Sequence, residues 1–581
     1  MRLRWSASRA RGQAAGVLPL AGLVLAAAVL IILPLLVLLL TALEDGWDAF
    51  VEGVGSALPA IWASLWTSAT ATLLAVAIGG TLAVLTERTD VPGRRGLRLA
   101  MLLAFIVPGY VAAVGWLDAY APGGTLDDLT GVALPALVGP LGIVIVLAVE
   151  AAPIVYLIVV AGLAARVEPD LERAARASGA NALTAFRTVT LPLLRPVLAG
   201  AGAIAFVLGL TSFGVPAVLG VPAGFTTMTT RIYRDLAFSA DPASFVRALG
   251  LAIVLAVGAA AVLAIADVLL ERRRSHRSGA FAGPLGQLGM AGWAPGGEGA
   301  GDAGIGTEAA ADDRIRRRLR AVRPRAVGLG LLAWAVVGVT VIVPLAALVL
   351  TALTRAPGLD PVPANWTLDH FAEIADPRTL DAFLRSALLA GLAAIGVVVL
   401  GALVIVSRQG QGSGLVGGLL GLTFALPGST LAVAVLLAYG VALRDTLLII
   451  LIAYLAKFWA LGHRPIASGL ESLSADLLRA ARVSGADALT AARTIVLPVL
   501  RPLVVAGGLI VFVFGLHEVT MSSLLYGPGT ATLAVVVLDL QQLGSTGPTA
   551  ALAIVLTLIV AAASLPLLRA GGALASLAGR A

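Results

Sequence analysis

The chain has 581 residues, of which 59% are hydrophobic and 13% are charged, and its mean hydropathy of +0.97 excludes an ordinary soluble globular protein. It has no cysteine, which excludes disulfides, thiolate metal sites and a lipid-anchored N-terminal cysteine. The formal net charge of +7 comes from arginines between apolar segments, so it indicates contact with anionic lipid rather than with nucleic acid.

Twelve apolar runs are long enough for membrane-spanning helices, which need about 20 residues. The runs are continuous, whereas the strands of a β-barrel would alternate. We number them spans 1 to 12, and they lie near residues 17–43, 60–86, 98–117, 138–163, 195–220, 247–270, 327–352, 384–407, 414–440, 446–465, 502–526 and 548–569. The sequence therefore predicts an all-α polytopic membrane protein with about 12 transmembrane helices.

The arginines predict the orientation and the domains. If the N-terminus is cytoplasmic, the inner loops and tails hold 32 arginines and the outer loops seven, as the positive-inside rule requires. We expect span 1 to be retained, because it lacks a clear signal-peptide cleavage site. Six spans return the chain to its starting side, so residues 1–271 and 327–581 are predicted to be parallel six-helix repeats. Residues 272–326 are predicted to be a flexible cytoplasmic linker.

One polar loop occurs twice in the chain. Residues 171–196 and 477–502 are identical at 19 of 26 positions, at a constant offset of 306. Each copy is predicted to form a short helix that ends at Gly179 or Gly485, because glycine readily adopts the left-handed conformation found after helix ends. An amphipathic segment should follow, and we expect Leu191–Pro192 and Leu497–Pro498 to stop it before the next span.

The spacing within this loop carries a family resemblance. Two alanines, Ala174 and Ala175, are followed by Gly179 and then by Leu191–Pro192, and the second copy repeats the pattern. This pattern resembles the EAA loop of permease subunits of ATP-binding-cassette importers, where the loop is a coupling helix that docks on the ATPase. The glutamate of that family is replaced by Arg173 and Arg479. The resemblance implies these ATPase-coupling residues: Glu172, Arg173, Ala174, Ala175, Gly179 and Pro192 in the first copy, and Arg479, Ala480, Ala481, Gly485 and Pro498 in the second.

Four further segments resemble fused, two-repeat permeases of the ferric-iron type: residues 86–98, 213–236, 365–374 and 518–540. Thiamine and aminoethylphosphonate permeases are similar. The resemblance implies a multi-pass protein of the cell membrane, with cytoplasmic termini, that imports a substrate delivered by an extracytoplasmic binding protein. Ferric iron is the first expectation for that substrate. Thiamine, aminoethylphosphonate or another small solute are the alternatives, and two copies of an ATPase subunit are the implied partners.

The chain itself lacks the residues for catalysis. A phosphate-binding P-loop needs Gly-Lys followed by Ser or Thr, but Lys457 is the only lysine and Ala456 precedes it. We therefore expect no enzyme activity and no cofactor in this chain, with ATP bound by a separate subunit. No metal site is expected either, because the four histidines lack metal-ligand spacing. They are His276, His370, His463 and His517.

Ionisable groups inside spans are costly and are therefore candidates for function. Glu150 in span 4 and Lys457 in span 10 are predicted to lie at similar depth, where they either pair or each face a wet cavity or a carbonyl. For Glu518 a gate or a structural hydrogen bond is favoured over a metal site. The candidate residues of the translocation pathway are Glu150, Thr211, Ser212, Lys457, His517 and Glu518.

A secondary transporter of the major facilitator type is a remote alternative. It also has twelve spans in parallel halves, and Gly-Arg-Arg at 93–95 loosely resembles its loop between spans 2 and 3. The second half has no such motif at 407–414. The duplicated loop lies between spans 4 and 5, where that family has no reason to keep one.

Overall fold

A computed structural model describes residues 21–166, 169–271, 324–407, 423, 425–473, 475–486 and 488–578. Within these ranges the chain is helical, and the extended pairing is limited to an isolated bridge between Thr354 and Trp366. Ten helices in the described ranges are long and apolar enough to cross a membrane: Ala21–Ala42, Leu58–Arg88, Pro140–Ala165, Ala182–Thr211, Pro242–Val268, Val327–Leu353, Pro377–Leu403, Leu447–Ala467, Arg493–Leu516 and Thr546–Leu567. These helices confirm the prediction of an all-α polytopic membrane protein, and they correspond to spans 1, 2, 4 to 8 and 10 to 12.

Span 3 is not the single straight helix that its apolar run predicts. It consists of Arg94–Ile106 and Gly109–Thr130, bent by 107° at the break, and it would make an eleventh span if counted as one. Pro108 causes the break, because a proline disfavours helical backbone in the residue before it. Span 9 has the same Pro-Gly sequence, and its helix Gly428–Leu443 follows Pro427. The first part of span 9 and nearly all of the predicted linker lie outside the described residues.

Spans 2 and 4 of the first half run in the same direction. The hydroxyl oxygens of Thr86 and Tyr156 lie 3.1 Å apart near the ends of these spans. A little further along, Arg88 donates to the carbonyl of Leu163 at 3.3 Å. The loop after span 4 therefore emerges at the end of the bundle where span 2 ends.

The second half repeats this arrangement. Gly396 of span 8 faces Leu455 of span 10, and Gly401 faces Ile466, so these spans also run in the same direction. Trp334, in the first turns of span 7, packs on the turn that follows span 2. Both copies of the duplicated loop therefore lie at the same end of the bundle, as parallel repeats require.

Span 1 is tied to the second half of the chain through a π-helical turn. The amide of Leu33 donates to the carbonyl of Ala28 instead of Val29, one residue further back than in an α-helix. Pro34 has no N–H and cannot serve the freed carbonyl of Val29. The hydroxyl of Tyr439, in span 9, donates to that carbonyl at 2.5 Å.

Span 7 makes the equivalent contact with the first half. The amide of Val343 donates to the carbonyl of Gly338, and Pro344 follows, so the carbonyl of Val339 is freed in the same way. The hydroxyl of Tyr120, in span 3, donates to it at 2.5 Å. The first span of each half is thus anchored on the opposite half, which holds the two repeats together.

Candidate functional site

The first copy of the duplicated loop begins with a short helix, Pro169–Ala177, which we call loop helix 1. The amide of Ala180 donates to the carbonyl of Ala175, and the amide of Gly179 donates to the carbonyl of Arg176, both at 3.0 Å. Gly179 has φ +91°. This is the hydrogen-bond pattern of a Schellman helix end, and it confirms the predicted left-handed conformation of Gly179.

Loop helix 2, Ala475–Val483, ends in the same way. The amide of Ala486 donates to the carbonyl of Ala481 at 3.0 Å, and Gly485 has φ +81°. A Cβ atom added to Gly179 or to Gly485 would have no neighbouring atom within 4 Å. Glycine is therefore required within this chain by the backbone conformation and not by lack of space.

The loop helices present the same groups to water. Arg173 is 76% exposed and lies 2.8 Å from Asp170, and Arg479 is 76% exposed and lies 3.3 Å from Asp476. Exposed ion pairs of this kind contribute little free energy, so both arginines are free to contact a partner. Ala174 and Ala480, which follow the arginines, are exposed as well. Two equivalent surfaces of alanine and arginine therefore face away from the bundle.

Glu172 does not belong to this exposed surface. Its carboxylate accepts a hydrogen bond of 2.6 Å from the hydroxyl of Thr190, which is buried at the start of span 5. The structure therefore separates Glu172 from Arg173, although the two are neighbours in the sequence. The offset of 306 places Leu478 and Val496 at the equivalent positions of the second copy.

The prediction that Leu191–Pro192 and Leu497–Pro498 stop the amphipathic segment is wrong. Ala182–Thr211 is one continuous helix with a π turn at Phe186–Thr190, and a π turn at Ala492–Val496 likewise leads into span 11. The amide of Leu191 donates to the carbonyl of Phe186, five residues earlier. This π geometry accommodates the missing N–H of Pro192, as happens in membrane helices. The loops are therefore joined to spans 5 and 11 by unbroken helix.

Glu150 lies beside the break in span 3. Its carboxylate approaches Gly109, the first residue of the helix after the break, where a Cβ atom would lie 2.5 Å from it. The positive end of a helix dipole at this position favours a carboxylate. The side chain of Glu150 is exposed at this position. Its carboxylate is therefore accessible beside the break in span 3.

Lys457 lies beside the corresponding break in span 9. Its ammonium group donates to the carbonyl of Leu426 at 2.5 Å, immediately before Pro427. Glu150 and Lys457 form no ion pair in the structure. Lys457 binds a backbone carbonyl, which was the alternative to pairing, and Glu150 lies beside Gly109. Glu150 therefore lies at the start of the helix after Pro108, and Lys457 binds the carbonyl immediately before Pro427.

Glu518 binds the backbone of the short helix Thr520–Leu525. Its carboxylate accepts hydrogen bonds from the amide of Met521 at 2.9 Å and from the amide of Ser522 at 3.0 Å. This geometry matches the structural hydrogen bond that was favoured over a metal site. Within the described residues no group of three or more His, Asp or Glu side chains is arranged to hold a metal ion.

The remaining pathway candidates lie at the ends of the helices of spans 5 and 11. The ring of His517 packs on Phe514 with 5.6 Å between the ring centres. In the first half the carbonyl of Ser212 accepts from the hydroxyl of Thr229 at 2.8 Å. The hydroxyl of Thr211 makes a long bond of 3.4 Å within its own helix.

A second repeated contact, at the end of the bundle away from the loops, has no signal in the sequence. The amide of Met228 donates to the hydroxyl of Ser64 at 2.8 Å, and the amide of Leu533 donates to that of Ser386 at 2.9 Å. Each serine lies on the second span of its half and binds the first residue of the second helix after span 5 or span 11, Met228–Ala237 or Leu533–Gln542. No periodicity links residues so far apart in the chain.

An ion-pair cluster was also missed near the start of span 6. Asp235 is 4% exposed, and it accepts from Arg247 at 2.7 Å and from Arg231 at 3.1 Å. The spacing of Arg231 and Asp235, one helical turn apart, was a signal that could have found half of this cluster. Two arginines of the predicted outer loops therefore have a structural role.

Parallel halves of membrane-spanning helices, with one loop kept twice at the same end, define a multi-pass transport protein. The family described as the binding-protein-dependent transport system inner membrane component matches residues 79–275 and 383–574. These segments cover more than half of the chain, so the chain belongs to this family. Each match includes one copy of the duplicated loop.

Several relatives carry the names of permeases. The probable ABC transporter permease protein y4fN of Sinorhizobium fredii is 28% identical over 166 residues, which is 28% of this chain and 29% of the relative. A putative 2-aminoethylphosphonate transport system permease, PhnV of Salmonella typhi, is 26% identical over 223 residues, 37% of this chain and 84% of the relative. The thiamine transport system permease ThiP of Brucella abortus is 28% identical over 215 residues, 36% of this chain and 39% of the relative.

Proposed function

We propose that this permease works with two copies of a separate ATPase subunit, which bind ATP and dock on loop helices 1 and 2. The observation that supports this proposal is the pair of equivalent exposed surfaces at one end of the bundle. Each has an exposed arginine, an exposed alanine and a left-handed glycine, at Arg173 and Gly179 or at Arg479 and Gly485. This end is cytoplasmic in the proposal, as are both termini.

The connection between loops and spans suggests how ATP would drive transport. Unbroken helix runs from Ala182 into span 5 and from Ala488 into span 11, and each loop helix joins it through the short turn at Gly179 or Gly485. A displaced loop helix would therefore pull on its span through that turn. ATP binding would close the two ATPase subunits and draw the loops together. The two halves would then rock, as parallel repeats of transporters do. A binding protein on the opposite side would release its substrate into the opened pathway.

The pathway in this proposal passes the two helix breaks. Glu150 and Lys457 supply an acid and a base there, and Glu518, His517, Thr211 and Ser212 lie at the turns that follow spans 5 and 11. Charged groups at membrane depth are tolerated where they face a wet cavity or bind backbone groups. A polar solute could pass such a site without a resident metal or cofactor, and none is proposed for this chain.

For the substrate we propose ferric iron, on the strength of the four segments that resemble ferric-iron permeases. The second candidate is 2-aminoethylphosphonate, because the alignment with the permease of that name covers 84% of its length. Thiamine is the third, from the match to a thiamine permease.

The test is reconstitution of the permease with the ATPase and the binding protein encoded by neighbouring genes. Proteoliposomes are supplied with radiolabelled ferric iron, 2-aminoethylphosphonate or thiamine, with and without ATP. We expect uptake of one of these only when ATP and the binding protein are both present. Uptake driven by an ion gradient without ATP would overturn the importer proposal, and ATP-driven uptake of a different solute would overturn only the substrate.

A further inference from the structure

The two duplicated loops differ at a pair of residues that touch each other. Of the 26 aligned positions only seven differ, and two of these are Glu172, replaced by Leu478, and Thr190, replaced by Val496. Glu172 and Thr190 are 18 residues apart but share the 2.6 Å hydrogen bond between loop helix 1 and the base of span 5. Both members of the polar pair are therefore apolar in the second copy.

The hydrogen bond is of the strong, directional kind. A hydroxyl that donates to a carboxylate forms a short bond of about 2.5–2.7 Å, which fixes both distance and direction. Thr190 is 1% exposed, so its hydroxyl has little access to water as an alternative partner. Valine has nearly the shape of threonine without the hydroxyl, and Val496 is likewise buried, at 3% exposure. The second copy keeps the shape at this position and loses the bond.

We propose that Glu172 is a positioning residue, which acts through Thr190 to hold loop helix 1 in a fixed orientation on span 5. Movement of the ATPase is then passed to span 5 through this bond as well as along the backbone. The second copy has Leu478 and Val496 at these positions and cannot form this hydrogen bond, so the two ATPase contacts are coupled by different chemistry. This inference rests on the proposed function for its consequence in transport, but the geometry can be tested without it.

Four variants of the complete permease separate the possibilities. Glu172→Leu and Thr190→Val each remove one partner, and the double variant reproduces the pair of the second copy. Thr188→Val is the matched control: Thr188 lies in the same π turn, but it is exposed and bonds only to the carbonyl of Thr184 at 2.8 Å. A double-mutant cycle then isolates the interaction between the two partners.

The first measurement is the distance between loop helix 1 and span 5. Because the chain has no cysteine, Ala177→Cys and Ala199→Cys provide unique sites for spin labels on loop helix 1 and span 5, and both alanines are exposed. We expect a narrow distance distribution by pulsed electron paramagnetic resonance in the parent and in Thr188→Val. The distribution should broaden in each single variant and narrow again in the double variant.

The second measurement reports coupling in the reconstituted complex, as solute imported per ATP hydrolysed, using the probe that the parent imports. Each single variant should lower this ratio at least about fivefold, because a bond to a charged group is lost and its partner is left unsatisfied. The amount of co-purified ATPase should stay unchanged, and the double variant should recover most of the ratio.

Unchanged distances and coupling in Thr190→Val would overturn the inference. So would a double variant no better than the worse single variant. Loss of ATPase binding in Glu172→Leu but not in Thr190→Val would show that Glu172 is instead a docking contact. If the parent itself binds no ATPase, the proposed function fails, and the spin-label distances still decide whether the bond fixes loop helix 1.

Discussion

Replacing the glycines that end the loop helices tests the docking role most directly. Gly179 and Gly485 have φ +91° and +81°, and a Cβ atom at either position would meet nothing within 4 Å. A substitution there is therefore strained only through the backbone. The left-handed conformation costs an ordinary L-residue about 1–2 kcal/mol, and a β-branched side chain is the least tolerant of it.

The magnitude follows from that cost. Gly485→Val should reduce the population of the docking conformation by roughly 5- to 30-fold, which is the factor that 1–2 kcal/mol represents. Gly485→Asn should be nearly neutral, because asparagine visits the left-handed region at little cost. Both side chains have the same open space within this chain, so the comparison separates conformation from bulk.

The assay is titration of detergent-solubilised permease with the ATPase subunit, with folded yield as the control for membrane insertion. We expect the valine variants to insert normally, because neither glycine lies within a span, and to bind the ATPase 5- to 30-fold more weakly. Binding by Gly485→Val that equals the parent would refute the reasoning. Weak binding by Gly485→Asn as well would show that the ATPase needs the space and not the conformation.

Three further predictions concern an exposed arginine, the tyrosines that join the two halves, and the charges inside the spans. Arg479→Glu should weaken ATPase assembly without lowering folded yield, since its exposed ion pair contributes little to stability; assembly that is unaffected would place this arginine outside the interface. Tyr120→Phe and Tyr439→Phe should each lower stability in detergent by about 0.5–1.5 kcal/mol, because each removes the donor to a freed carbonyl, and thermal unfolding that matches the parent would contradict the anchoring role. Glu150→Gln and Lys457→Met should reduce transport independently, so that their effects in a double-mutant cycle add within about 0.5 kcal/mol; recovery in the double variant would show that they pair during transport.

The sequence predicted those features that depend on local composition. A membrane helix must be long and apolar, so the hydropathy of span 4 or span 6 was sufficient to locate it. A left-handed helix end needs glycine, so Gly179 and Gly485 marked the ends of both loop helices. Neither feature requires a distant partner, which explains why sequence reasoning reached them.

The prolines could not be interpreted from the sequence alone. Pro108 breaks span 3 by 107°, whereas Pro192 lies inside a continuous helix. The difference lies in what happens to the backbone groups that a proline leaves free. At Pro192 a π turn rearranges the preceding hydrogen bonds, and near Pro427 the ammonium group of Lys457 binds the carbonyl of Leu426. Such partners are set by the tertiary fold, so an apolar run looks the same in both cases.

Contacts between the halves were also beyond sequence reasoning. Tyr120 and Val339 are 219 residues apart, and Tyr439 and Val29 are 410 apart. No periodic pattern links residues at such separations, and the acceptor carbonyls are free only because of the π turns. The prediction of two similar halves was right. The contact of the first span of each half with the opposite half could be seen only in the structure.

The residues that differ between the two copies of the loop, and those that do not, support the proposed coupling role of the loops. Within most proteins exposed loops vary more than buried contacts do. Here the exposed Arg173 and Ala174 recur unchanged as Arg479 and Ala480, while the inward-facing pair at Glu172 has changed to apolar residues. The charges at the helix breaks, Glu150 and Lys457, have diverged as well. An exposed surface that is retained while its internal supports change is under a constraint from outside the chain, and two equivalent partners docking on the two loops would impose it.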